Sequence, residues 1–129
     1  MTTFKIAQDA TFKANVAIPR VGGDSVLVPF EFKYRDRAEL AELFTGWQER
    51  SAKDQELFKA RGADLTLVEV TEAQMSLEFD QVKDLVVGWG FDDPFEDEAI
   101  RALILTSVGA GKAIVDAYQA AFRAAREGN

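Results

Sequence analysis

Two stretches near the N-terminus alternate apolar and polar positions with period two. In Phe12-Lys13-Ala14-Asn15-Val16-Ala17-Ile18, the residues Phe12, Ala14, Val16 and Ile18 fall on one face. In residues 26–34, Val26, Val28, Phe30, Phe32 and Tyr34 do the same. Between them, Pro19-Arg20-Val21-Gly22-Gly23-Asp24-Ser25 contains Gly-Gly-Asp, which supplies the positive-φ positions of a tight reversal. The pattern predicts a β-hairpin with one strongly apolar face, opposed by Lys13, Asn15, Glu31 and Lys33. Pro29 has no N–H to give a ladder, so its nitrogen is expected to face an edge or a bulge. A lone hairpin is marginal in water, so the apolar face needs a cover.

From residue 36 the period changes. Asp36-Arg37-Ala38-Glu39 has the form of a capping box, and Leu40, Leu43, Phe44 and Trp47 follow at helical spacing. Gly46 weakens that helix without ending it. Residues 53–61, with Leu57 and Phe58, either continue it or form a separate short helix that stops near Gly62. Leu65 to Val70 read as a third strand or as a connector. Thr71-Glu72-Ala73-Gln74 is a second start signal, after which Met75, Phe79, Val82, Leu85, Val86 and Trp89 trace a helical face. Asp93-Pro94-Phe95-Glu96 is a third, with Pro at the first helical position. Ile100, Leu103 and Ile104 form its stripe. Gly109-Ala110-Gly111 interrupts, and a last helix carries Ile114, Ala117, Tyr118, Ala121, Phe122 and Ala125 before a tail, Arg126-Glu127-Gly128-Asn129, expected to fray. The order predicts an α+β fold, an N-terminal antiparallel β-hairpin packed on a bundle of about four α-helices. A single domain is expected over residues 1–129, with a hairpin region at 1–35 and a mainly helical region at 36–129.

Composition narrows the chemistry. With 129 residues, 47% apolar, the chain can bury roughly two-thirds of its unfolded surface. There is no Cys and no His. Disulfides, thiolate sites and the commonest general base and metal ligand are therefore excluded. Catalysis would rest on carboxylates, Lys, Tyr and Ser/Thr alone, and the expectation is a protein without enzymatic activity or cofactor. The net charge of −7 disfavours nucleic acid and anionic membranes as partners and favours basic protein segments. No run approaches the ~20 apolar residues of a membrane span, and the N-terminus has no basic region followed by an apolar one. A cytoplasmic location is expected.

Three features invite a functional reading. Thr106-Ser107-Val108-Gly109-Ala110-Gly111-Lys112-Ala113 approaches a phosphate-binding loop, but Thr106 stands where Gly is needed and Ala113 where Ser or Thr is needed. A helix–helix turn explains it. Asp92, Asp93, Glu96, Asp97 and Glu98 form an acidic cluster without the alternation or central Gly of a Ca²⁺ loop. Acids at a helix start explain it through the helix dipole. Carboxylate pairs for glycoside hydrolysis arise by chance among 22 acidic residues. The aromatics stand out more. Gly88-Trp89-Gly90-Phe91-Asp92-Asp93-Pro94-Phe95 sets three of them in a turn, and turns lie at the surface. Trp89, Phe91 and Phe95, with Tyr118 and Phe122 on the last helix, are the candidate protein-binding residues. The free hairpin edge makes a homo-oligomer a further candidate arrangement.

These segments together resemble the tail assembly chaperone family of long-tailed bacteriophages. The resemblance runs through Phe4-Lys5-Ile6, Thr11 to Pro19, the Gly-containing turn and Val28 to Arg35. It resumes at Val86-Val87-Gly88-Trp89, the Asp-rich turn and Phe95, and ends with Ala113-Ile114, Ala117-Tyr118 and the short tail. Residues 48–71 match weakly, and Thr106-Ser107-Val108-Gly109 stands where the family often has a Tyr-Pro type of break. The resemblance implies a protein that binds the tape-measure protein, keeps it soluble in the host cytoplasm and helps recruit tail-tube subunits. It implies no catalytic residues. Three other classes compete: an acidic inhibitor or DNA mimic, a carboxylate–metal hydrolase, and a minor structural tail protein, which would remain in the virion.

Overall fold

The computed structural model describes residues 4–126. It divides into two compact units, one made of the described residues up to Tyr34 and from Glu78 onward, the other of Arg35–Leu77.

In the first unit, β1 (Thr11–Pro19) and β2 (Ser25–Lys33) pair antiparallel, with Phe12 opposite Phe32, Ala14 opposite Phe30, Val16 opposite Val28 and Ile18 opposite Val26. This register puts both apolar rows on one face, and Val16, Ile18, Val28, Phe30 and Phe32 are buried. Gly22 and Gly23 both have positive φ in the reversal, which Arg20 N closes onto the Asp24 carbonyl at 2.9 Å.

A third strand, β3 (Val86–Trp89), pairs antiparallel with β2, giving the order β1-β2-β3. The helical face expected to run through Val86 and Trp89 therefore stops at Leu85. The β-branched pair Val86-Val87 favours extension, Gly88 weakens a helix there, and β2 offers a free edge to take the strand. Val87 is the extra residue of a bulge between Glu31 and Phe32. Pro29 thus lies on the central strand. Its carbonyl accepts from Gly90 N at 2.8 Å, one residue past the end of β3. In an antiparallel ladder a residue's N–H and C=O point the same way, so the missing donor faces the point where pairing runs out.

The remaining elements cover the apolar face. On α4 (Ala110–Arg126), Ala110, Ile114 and Tyr118 are buried at intervals of four. The Tyr118 hydroxyl donates to the Lys33 carbonyl at 2.8 Å. On α3 (Asp97–Thr106), Ile100 and Ile104 are buried. This helix starts three residues after Pro94, with Glu96 as its N-cap, so Pro94 belongs to the preceding turn and not to the first helical position. The break between α3 and α4 is Ser107-Val108-Gly109, and Gly111 lies within α4. Ser107 Oγ donates to the Pro19 carbonyl at 2.7 Å, fixing that break against the end of β1. Residues 127–129, expected to fray, lie outside the described residues.

The second unit holds α1 (Arg37–Arg61) and the start of α2 (Leu67–Leu85). The capping box at Asp36 and Glu39 forms as expected, with both reciprocal bonds at 2.9 Å. α1 is continuous through Gly46 and stops at Gly62, which has positive φ. In the segment Leu65 to Val70, Leu65 and Thr66 are connector, and Leu67 to Val70 are not a strand but the first turn of α2. Thr66-Leu67-Val68-Glu69 is itself a start signal. Glu69 N donates to Thr66 Oγ1 at 3.2 Å, so the helix begins one turn before Thr71. Arg61 forks onto Glu69 at 2.7 and 3.0 Å, and Arg50 reaches Ser76 Oγ at 3.0 Å.

Candidate protein-binding surface

The turn after β3 is held in place from both ends. Gly90 packs against Pro29 so closely that a Cβ there would stand 2.6 Å from Pro29 Cγ. The Trp89 indole N–H donates to the Asp93 carbonyl at 2.8 Å. These two constraints bring Trp89, Phe91 and Phe95 together as expected. Trp89 lies edge-on to Phe91 and to Phe95, with ring centroids 5.0 Å apart in each pair. Edge-to-face pairs of this kind are favourable beyond the area they bury. Trp89 and Phe91 also meet the buried Phe30 ring at 6.0 Å, so each divides its surface between core and solvent. All three aromatics are half-buried.

Tyr118 and Phe122 belong to a second group of rings. Phe122 meets Phe12 at 5.6 Å and Tyr118 at 5.0 Å, and it is half-buried. Tyr118 is fully buried, against Phe12 and Phe32. It is a core residue and not part of an open surface, because its hydroxyl finds its partner inside, on Lys33. Phe30 and Phe32, 5.9 Å apart, join the two groups.

The structure adds residues that the sequence did not single out. A depression of about 140 Å³ is lined by Trp89, Phe91, Ala99, Ala102 and Leu103, with Arg20, Asp93 and Thr106. Leu103, expected on the buried stripe, is half-exposed, because Ile100 and Ile104 take the inward positions. Leu105 and Val108, next along the chain, are exposed. The available signal was the pairing of small Ala99 and Ala102 with an outward Leu105. On the opposite face of the sheet, a groove of about 280 Å³ runs between Lys13, Glu31, Pro29, Gly88 and Gly90.

The surroundings are acidic. Asp92, Asp93, Glu96 and Glu98 are exposed. Asp97 accepts from Lys83 at 2.7 Å, and that hydrogen bond holds its carboxyl below the ordinary range. Among the described residues, no three His, Cys, Asp or Glu side chains converge as metal ligands. Lys112, the lysine of the loop resembling a phosphate site, is exposed and bonded to Asp116 at 2.7 Å. Among the described residues no helix is long and apolar enough to cross a membrane.

Fold and surface together define a small α+β protein with aromatic and acidic surface side by side. The whole chain, residues 1–129, matches the family model described as phage tail assembly chaperone, and the chain belongs to that family. Neither comparison with curated proteins nor comparison with solved structures gives a match.

Proposed function

We propose that this chain holds the tape-measure protein in soluble form in the host cytoplasm and helps bring tail-tube subunits to it, without a cofactor or a chemical step. Membership of the chaperone family supports a role in tail assembly. The observation that carries the reading further is the half-buried Trp89–Phe91–Phe95 group beside exposed Asp92, Asp93 and Glu96. Apolar surface is what a long polypeptide with unburied apolar positions needs for capture, and the net charge of −7 keeps such a complex in solution. Many modest contacts, lost one after another to incoming tube subunits, allow release without nucleotide hydrolysis.

The test is co-expression with the tape-measure protein of the same phage. Alone, that protein should sediment; with this chain it should move to the soluble fraction and co-purify. Purified virions should lack the chain. A tape-measure protein that stays insoluble beside a folded chain would overturn the reading. Recovery of the chain from virions in subunit proportion would favour a structural tail protein.

A further inference from the structure

The depression between α3 and the Trp89–Asp93 turn restricts what can enter it. Its volume is about 140 Å³. Small-molecule sites usually span roughly 300–1,000 Å³, so this one suits a single large side chain of another polypeptide. Its lining is mixed: Trp89, Phe91 and Leu103 supply apolar surface for that side chain, and Arg20, Asp93 and Thr106 supply polar surface of similar extent. Ala99 and Ala102 line it as well, and their small side chains let a second helix come close to α3. The apolar surface continues onto Leu105, 68% exposed, and Val108, 92% exposed.

Charge narrows the choice further. Asp92, Asp93, Glu96 and Glu98 are exposed around this end of α3, and among the described residues none of the four is in an ion pair. Glu98 shares a row with Ala102 and Leu105 at i, i+4 and i+7. The neighbouring Asp97 is taken by Lys83, and Arg101 lies over the Phe79 ring at 4.2 Å. Arg20 is the one cation that lines the depression. An incoming helix with acids beside its apolar anchor would meet like charge; one with Lys or Arg there would meet complementary charge.

We infer that this depression receives one large apolar side chain of a basic amphipathic helix, with α3 and its acidic start forming the rest of the contact. The inference rests on the reading that the chain acts by binding other polypeptides, and it supplies the chemistry of the segment bound.

The probes are two synthetic amphipathic peptides with the same leucine stripe, one with lysines and one with glutamates on the polar face, titrated calorimetrically into the full chain. The lysine peptide should bind at least tenfold more tightly than the glutamate peptide, and added salt should weaken it. Attraction to an acidic surface alone would give the same result, so the deciding variant is Ala102→Glu. It fills the depression while adding negative charge, at an exposed position where Glu is a good helix former. Binding of the lysine peptide should fall at least tenfold. Ala102→Gln, which fills the space without charge, should act likewise. Unchanged or tighter binding by both variants would overturn the inference, as would equal binding of the two peptides. The tape-measure solubility assay separates the two levels. If it succeeds with wild type and with Ala102→Glu alike, the depression is irrelevant and the chaperone reading stands. If wild type fails it, the chaperone reading falls whatever the peptides do.

Discussion

The sheet unit and the helical unit Arg35–Leu77 both contain aromatic residues, and they use them in opposite ways. In the sheet unit, rings from β1, β2 and α4 touch in series, and Phe30, Phe32 and Tyr118 are fully sealed from solvent. In the helical unit, α1 has 25 residues and buries none of them; Phe44 and Trp47 meet at 5.4 Å but stay half-exposed. α1 has a capping box, good helix formers, and exposed side-chain bonds from Arg50 to Ser76 and from Arg61 to Glu69 on α2, but no buried side chain. Each such term is small, whereas burial in the sheet unit is collective. Stability should therefore be unevenly distributed along one chain, with the helical unit at the low end.

The largest expected effect comes from emptying the frame. Phe32 is fully buried and stacks on Phe12 and Phe30. Phe32→Ala should cost ~3–5 kcal/mol, against a total of ~5–15 for a domain of this kind. Urea denaturation should show a much lower midpoint, and amides of β1, β2 and α4 should lose protection together. Amides of α1 should change least, having little protection to lose. If α1 in the wild type proves as protected as β2, the contrast between the units is wrong.

A smaller effect should sharpen the boundary of the frame. In Gly90→Ala the new Cβ would stand 2.6 Å from Pro29 Cγ and 2.8 Å from Cδ, so the turn after β3 must shift. The cost should be ~1–3 kcal/mol, as for overpacking elsewhere. Pro29→Ala removes the ring that is struck. The double variant should therefore be more stable than the sum of the two single losses allows. Strict additivity in denaturation would mean that β3 is not locked to β2 through this contact.

How much of this was legible follows from the same division. The hairpin and its apolar face were readable from period-two alternation, because a slip of one residue would turn either Phe12 or the pair Phe30 and Phe32 outward. Membership of β3 in the sheet was not. Val86 and Trp89 also fit a helical period from Phe79 onward, and only the free edge of β2, a tertiary fact, decides between them. The start of α2 was misplaced for a local reason. Thr66 and Thr71 both precede a Glu or Gln three residues on, and pattern alone does not rank them. The clustering of the Trp89, Phe91 and Phe95 rings was legible through their Gly/Asp/Pro turn. Tyr118, a candidate on the exposed side of the last helix, is instead fully buried, with its hydroxyl partnered inside by the Lys33 carbonyl.

The smallest expected effect concerns the helical unit and acid. Hydrogen bonding to Arg61 holds the Glu69 carboxyl below the ordinary range, with a further bond from Thr66. A carboxylate depressed in the folded state adds stability that is complete above its unfolded pKa, about 4.3 for Glu, and that is lost as pH falls through the lower folded value. The pair is exposed and screened by salt, so the loss should be local and slight, read as falling amide protection around residues 61–69 on acidification. Glu69→Gln should reduce protection there at neutral pH and remove most of its dependence on acid, and high salt should mimic the variant. The sheet unit should nearly keep its midpoint in both cases, because its order comes from buried rings and its own Lys83–Asp97 pair is exposed and worth little. A matching loss in β1 and β2 would show instead that the junction between α1 and α2 reports on one cooperative whole.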